Sequence, residues 1–113
     1  MAISNTVIGT SPTPIFSSSG NSAITTIIVC NVNSYDPMNP TTGQATLKLY
    51  AVPAADVSGG VMPKHLIVNG LELPAGETFT FDNEKMILSN GDYIYAVANN
   101  ANTLVSTVSS LGV

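Results

Sequence analysis

Apolar and polar residues alternate with a period of two along much of this chain. The clearest example is QATLKLYAV, residues 44–52, where Ala45, Leu47, Leu49 and Ala51 fall on one face and polar residues on the other. Such alternation is typical of a half-buried antiparallel strand. The same reasoning predicts further strands over residues 2–8, 22–32, 64–73, 76–82, 85–88, 92–98 and 103–109.

One predicted strand has a different pattern. Residues 22–32 contain a near-continuous apolar centre, AITTIIVCNV, which predicts burial on both faces. This segment also holds the single cysteine, Cys30, which we expect to be a buried, structural thiol. One cysteine cannot form an internal disulfide, and the lack of disulfides fits folding in a reducing cytoplasm.

Turn signals separate the predicted strands. Residues 89–92, SNGD, place Asn-Gly between apolar runs, which predicts a β-hairpin, and we expect the last four strands to form a meander. Asn69-Gly70 falls inside a predicted strand, where a bulge is preferred over a second hairpin turn. Pro12 and Pro14 interrupt pairing after the first strand, which indicates an edge or a crossing segment.

Helical patterns are nearly absent, apart from a single turn that residues 82–85 could form. About seven to eight strands, separated by turns every eight to twelve residues or so, are typical of a β-sandwich or small barrel. A chain of 113 residues suits one domain. We therefore predict an all-β fold, a single antiparallel β-sandwich over residues 1–113, Ig-like or jelly-roll-like.

Charge is scarce in this sequence. Charged residues make up 9% of the chain, with a net charge of −4 and no arginine, whereas typical soluble domains contain about 25%. Nucleic-acid binding needs cationic groups, so neither DNA nor RNA is an expected partner. The polar residues are mainly 12 Ser, 12 Thr and 11 Asn. Because burying charge is costly, this composition favours a protein that packs against others, with a soluble monomer as the alternative.

Targeting and membrane segments are not predicted. The opening stretch MAISNTVIGTSPTPIF lacks the basic and long apolar regions of a secretory signal. The longest apolar stretch, residues 23–32, is interrupted by Thr25, Thr26 and Asn31 and falls short of the roughly 18 apolar residues that span a bilayer. No membrane partner is expected.

Residues that could support catalysis or hold a cofactor are too few. The single histidine, His65, lies in the predicted strand KHLIV with no GxSxG turn in the sequence, so we expect a packed or surface residue. Cys30 and His65 cannot supply the four ligands that zinc takes. No phosphate-binding glycine motif is present. We therefore predict a protein that is not an enzyme, with no catalytic, cofactor or metal residues.

A group of acidic residues is the strongest alternative to that view. Asp82, Glu84 and Asp92 could approach one another and, with Asn90, bind calcium through oxygen ligands. The preferred interpretation is structural: Asp82 begins a turn, Glu84 is solvated, and Asp92 completes the Asn-Gly turn by bonding to the backbone.

Two long loops, residues 33–43 and 53–63, contain the candidate partner-contact residues. Tyr35 and Met38 lie in the first loop and Met62 in the second. Apolar and amphipathic side chains on loops are expected at protein interfaces. The alternative is that these side chains fold back and anchor the loops.

Three segments resemble the framework of small β-sandwich structural proteins of tailed bacteriophages. They are SSSGNSAITTIIVCNV (17–32), LKLYAVP (47–53) and LPAGETFTFDNEKMILSNGDYIYAVANNANTLVSTVSSLGV (73–113). In that family they correspond to an opening strand pair, a central strand, a PAG turn and a terminal hairpin around an NGD turn. The resemblance implies no catalytic residues for this chain.

The resemblance implies a component of the virion, assembled in the host cytoplasm. The expected function is a capsid decoration, or cement, protein that binds the major capsid protein or another virion protein and stabilises the phage head. Self-association is expected, with a trimer favoured. The alternatives are a tail, neck, baseplate or fibre-associated module and, less favoured, a carbohydrate-binding module with Tyr93, Tyr95 and the acidic turn as its sugar platform.

Overall fold

The computed structural model describes residues 2–82 and 86–113, and within these residues it contains nine strands in two antiparallel sheets. The strands are β1 (Ala2–Ile8), β2 (Thr13–Ser17), β3 (Ser22–Asn31), β4 (Ala45–Val52), β5 (Leu66–Leu73), β6 (Thr78–Phe81), β7 (Met86–Leu88), β8 (Tyr93–Ala98) and β9 (Leu104–Gly112). The two sheets pack face to face, so the predicted all-β sandwich is confirmed.

The larger sheet has five strands arranged around β3. Its order is β1-β9-β3-β6, and β7 also pairs with β3. The first half of β3 pairs with β7 and the second half with β6, while its other edge pairs with β9. β9 therefore lies between β3 and β1, with Leu104 opposite both Asn31 and Ile8.

The smaller sheet has four strands in the order β2-β8-β4-β5. β4 is one of its two central strands and alternates as predicted, with Leu47 and Leu49 fully buried and Lys48 exposed. In β5, Gly70 forms the predicted bulge, because its neighbours pair with β4 and it does not. The φ of Gly70 is +71°, a conformation that favours glycine.

The hydrophobic core lies between the two sheets and is built from alternate residues of the strands. Ile24, Ile27 and Val29 of β3 face Leu47 and Leu49 of β4 across it. Each such aliphatic side chain stabilises the fold by about 1.5–3 kcal/mol. The other members are Ile8, Ile15, Ala45, Leu73, Leu88, Ile94, Ala96, Ala98, Leu104 and Val108.

β2 is a strand that the alternation does not predict, so the described strands number nine instead of about seven to eight. It pairs with β8 at the edge of the smaller sheet even though it contains Pro14. An edge strand tolerates proline because one of its sides needs no hydrogen bonds, and a register shift between Pro14 and Phe16 absorbs the irregularity. The predicted edge position of this segment is confirmed.

The hairpin predicted around residues 89–92 is wrong. β7 before the turn pairs with β3, whereas β8 after it pairs with β2 and β4 in the other sheet. The turn thus carries the chain between sheets, and the last four strands do not form a meander. The turn is held instead by Ser18, whose carbonyl accepts the Gly91 N–H and whose N–H donates to the Asp92 carbonyl, both at 2.9 Å.

Candidate functional site

The three predicted contact residues lie near opposite ends of β4. Tyr35 and Met38 belong to the loop before this strand, and Met62 belongs to the loop after it. β4 contains eight residues, and a strand of that length spans about 26 Å. The structure therefore brings Tyr35 and Met38 together in one loop and leaves Met62 apart.

Tyr35 and Met38 project into solvent from an ordered turn. Tyr35 is 55% exposed and Met38 is 85% exposed. The Asp36 carboxylate accepts the Met38 N–H at 3.0 Å, and the Asp36 carbonyl accepts the Asn39 N–H at 3.1 Å. Met38 therefore does not fold back as an anchor; the turn holds it outward.

The base of this loop is fixed by a buried asparagine that the sequence analysis did not single out. Asn31 Nδ2 donates to the carbonyls of Gly43 and Leu73 at 2.8 and 3.0 Å, and its Oδ1 accepts the Asn33 N–H at 3.0 Å. The signal for its role is an amide at an inward position of a strand, since a buried amide needs partners. Asn31 thus secures both ends of loop 33–43.

A shallow cleft lies beside Tyr35, between loop 33–43 and the turn at residues 74–77. Its volume is about 610 Å³. The lining residues are Tyr35, Pro40, Gln44, Pro74, Ala75, Gly76 and Glu77. An open, mixed apolar and polar depression next to exposed apolar side chains suits a side chain of a protein partner.

At the opposite end, His65 is buried and ends a 3₁₀ helix, Pro63–His65, so its predicted place in a strand is wrong. A second 3₁₀ helix, Ala54–Gly59, precedes it. His65 Nδ1 accepts the Met62 N–H at 3.0 Å, and Nε2 lies 3.1 Å from Asp56 Oδ2. Because Nδ1 is the acceptor, Nε2 carries the proton and donates to Asp56.

The Asp56 carboxylate is held ionised by this arrangement. The His65 hydrogen bond, followed by the charge of Lys64, whose Nζ lies 3.5 Å from Asp56 Oδ2, holds the pKa of Asp56 below its ordinary value of 3.8. Both ring nitrogens of His65 are engaged, one with backbone and one with carboxylate. The imidazole therefore links Met62 to Asp56 within the 53–65 segment.

Of the three acidic residues in the calcium hypothesis, Asp92 bonds to the backbone. Asp92 Oδ2 accepts the Ser89 N–H at 2.8 Å, which confirms the predicted turn bond, and Oδ1 accepts the Ala54 N–H at 2.9 Å. Glu84, the third residue of the calcium hypothesis, lies outside the described residues, as does most of the predicted turn over residues 82–85. Among the residues that are described, no group of three or more His, Cys, Asp or Glu could hold a metal ion.

The tyrosines proposed as a sugar platform stand on the outer side of β8. Their ring centroids are 5.5 Å apart with an interplanar angle of 15°, so Tyr93 and Tyr95 stack on each other. Each ring covers one face of its neighbour. This contact leaves the other face of each ring uncovered, so the carbohydrate-binding alternative stays a prediction.

The outer face of the five-stranded sheet is the largest feature that the sequence analysis missed. Alternation and register place these residues on it: Ile3, Asn5, Val7, Ala23, Thr26, Ile28, Cys30, Thr78, Thr80, Ile87, Val105, Thr107, Ser109 and Leu111. Within the described strands of this sheet there is no Asp, Glu, Lys, Arg or His. The face is therefore uncharged and rich in β-branched side chains.

This face overturns two expectations for β3. Ile28, at the centre of the strand, is 36% exposed, so β3 is buried on one face and not on both. Cys30 is half-buried on the outer side, opposite Thr78 and Val105, and is not part of the core. The near-continuous apolar run that suggested two covered faces thus leaves apolar side chains in contact with solvent.

Comparison with known proteins gives no family for this sandwich. No family model, no curated protein and no solved structure matches the chain. In the part of the chain that the structure describes, no helix is both long enough and apolar enough to cross a membrane.

Proposed function

We propose that this chain is a structural protein of a phage particle, a capsid decoration protein that binds the assembled head and stabilises it. The observation that carries the proposal is the exposure of Met38, 85%, on an ordered turn beside Tyr35 and an open cleft. Apolar side chains grouped beside a cleft at one end of the sandwich are the kind of surface that binds another protein.

The surface composition supports a partner that is itself a protein. Ten charged side chains in 113 residues leave little desolvation penalty against burying a wide area. A ligand that binds the assembled shell but not the dissociated subunits stabilises the shell by mass action. Decoration of a head by many copies of a small sandwich would act in this way.

The contact is proposed to be end-on, through loop 33–43. Met62 lies beyond the other end of β4, about 26 Å away at the rise of an extended strand. An end-on sandwich cannot present both loops to one shell surface. Met62 therefore becomes the matched control for Met38, since both are exposed methionines on loops.

The test is occupancy on particles made without this chain. Purified heads are mixed with the parent, with the Tyr35→Ala/Met38→Ala double variant or with Met62→Ala, and bound protein is counted after sedimentation. The double variant is expected to lose most of its occupancy while its melting temperature is unchanged, and Met62→Ala to bind like the parent. Full binding by the double variant, or loss with Met62→Ala alone, would contradict end-on binding.

Salt and copy number complete the test. Binding is expected to weaken only modestly between low and moderate salt, because few ion pairs are available to be screened. Hundreds of copies on each particle would support a decoration protein, whereas a small multiple at the tail would support the alternative of a tail, neck, baseplate or fibre module. No binding to any part of the particle would overturn both.

A further inference from the structure

We propose that the outer face of the five-stranded sheet is the surface through which two copies of this chain associate, face to face about a twofold axis. This proposal does not depend on the function proposed above, because it concerns the isolated chain. It rests on the composition of the face, on where the charges lie, and on the area available.

The face exposes large apolar side chains in rows across the sheet. At one end Ile87, Ala23 and Leu111 are neighbours on β7, β3 and β9, and Ile87 is 67% exposed. Near the middle, Ile28 lies beside Thr107 on the adjacent strand. Exposed apolar side chains that are grouped on an uncharged sheet face mark a contact surface.

The distribution of charge makes a second copy a suitable occupant. With a net charge of −4, two copies repel each other wherever their acidic residues meet. The charged residues that the structure describes all lie outside the strands of the five-stranded sheet: Asp36, Lys48, Asp56, Lys64, Glu72, Glu77, Asp82 and Asp92. Two copies that meet through the described strands of this face therefore bring no charged side chains of those strands together.

The shape of the face fits the same occupant. Two sheet faces stack about 10 Å apart with their side chains interdigitating, and the β-branched side chains of this face are of a size that packs between the same side chains of a second copy. An interface in which one patch meets the same patch is isologous and closes as a dimer. Three flat faces cannot stack on one another, so this geometry gives a dimer and not the trimer that the phage resemblance favours.

The area is sufficient for a weak dimer. Four strands at about 4.8 Å spacing and about seven residues at 3.3 Å give roughly 450 Å² of each copy in projection. The pair therefore buries roughly 900 Å², close to the ~1,000 Å² at which specific interfaces begin. Association is accordingly expected in the micromolar range or weaker.

Sedimentation velocity of the isolated chain, from low-micromolar to near-millimolar concentration, tests the proposal. The parent is expected to shift from monomer to dimer, and Ile28→Lys to remain monomeric because it places a charge at the centre of the face. Ile67→Lys is the matched control: Ile67 is 39% exposed against 36% for Ile28, but it lies on β5 of the other sheet. It is expected to dimerise like the parent.

Two further measurements distinguish loss of the dimer interface from misfolding of Ile28→Lys. Asn5→Lys makes the same change at an exposed position of β1, opposite Thr107, where the core is not touched. Labelling of Cys30 by a thiol reagent should slow as the concentration of the parent rises, because dimer formation covers it, and should not slow in Asn5→Lys. A parent that stays monomeric, forms a trimer, or still dimerises with Asn5→Lys would overturn the proposal, as would loss of the dimer in Ile67→Lys.

Discussion

Asn31 Nδ2 lies 3.0 Å from the Leu73 carbonyl oxygen, a hydrogen bond that joins the last residue of β3 in one sheet to the last residue of β5 in the other. The same amide group donates to the Gly43 carbonyl. One buried side chain therefore couples the two layers of the sandwich to the loop that carries Tyr35 and Met38.

Removal of this amide is predicted to destabilise the fold. Asn31→Ala leaves the Leu73 carbonyl and the Asn33 N–H without their partner, and we expect a loss of about 2–3 kcal/mol in the free energy of unfolding. Urea denaturation measures it. Asn21→Ala, in an exposed loop, is the control and should change stability by less than about 0.5 kcal/mol. Equal effects in the two variants would contradict the role given to Asn31.

A comparison of two glycines tests the turn at residues 89–92. Gly91 and Gly70 both have positive φ, +88° and +71°. A Cβ at Gly91 would lie 3.1 Å from Ala54 Cβ, whereas a Cβ at Gly70 meets nothing within 4 Å. We expect Gly70→Ala to cost about 1 kcal/mol and Gly91→Ala about 2–3 kcal/mol in urea denaturation. The reverse order would show that the turn does not pack against Ala54 as described.

The lowered pKa of Asp56 predicts a pH dependence of stability. Because the pKa in the folded state lies below the unfolded value near 3.8, ionised Asp56 stabilises the fold above that pH, and the contribution disappears as the pH falls through the lower, folded value. Asp56→Asn should therefore melt at a lower temperature than the parent above about pH 5. The difference should shrink below pH 3.8; a difference that grows on acidification would refute this account.

Metal removal is predicted to have no effect. Both carboxylate oxygens of Asp92 accept hydrogen bonds from backbone N–H groups, those of Ser89 and Ala54. The side chain therefore does not need a cation to satisfy its oxygens. A chelator should leave the melting temperature unchanged, and added calcium should not raise it. A shift of several degrees in either experiment would restore the calcium hypothesis.

The sequence predicts those parts of the fold that depend on local alternation. In β8, Ile94, Ala96 and Ala98 are buried between half-buried neighbours, and the same period-two pattern runs through β4 and β9. Each of these strands buries one face, so the alternation of apolar and polar residues predicts which side chains point into the core. The bulge at Gly70 is predicted on different grounds: the next turn follows Asn69-Gly70 too closely for a second hairpin.

Strand partners could not be predicted in this way. Pairing is non-local: β3 pairs with β9, more than 70 residues further along the chain, and the turn at 89–92 links strands of different sheets. The Asn-Gly pair indicates that the chain reverses direction, but it does not indicate which strands the turn connects. His65 was misplaced for a similar reason, since its buried position depends on Asp56 and the Met62 N–H, contacts that a strand pattern does not encode.

The position of β9 between β1 and β3 has a consequence for synthesis of the protein. The five-stranded sheet cannot close until residues 104–112 have left the ribosome, because both β1 and β3 pair with β9. Until then β3, the longest strand, lacks its longest neighbour and offers an unpaired edge to other chains. The nascent protein is therefore most prone to aggregate before β9 emerges, and a chain cut short before residue 104 would keep that exposed edge permanently.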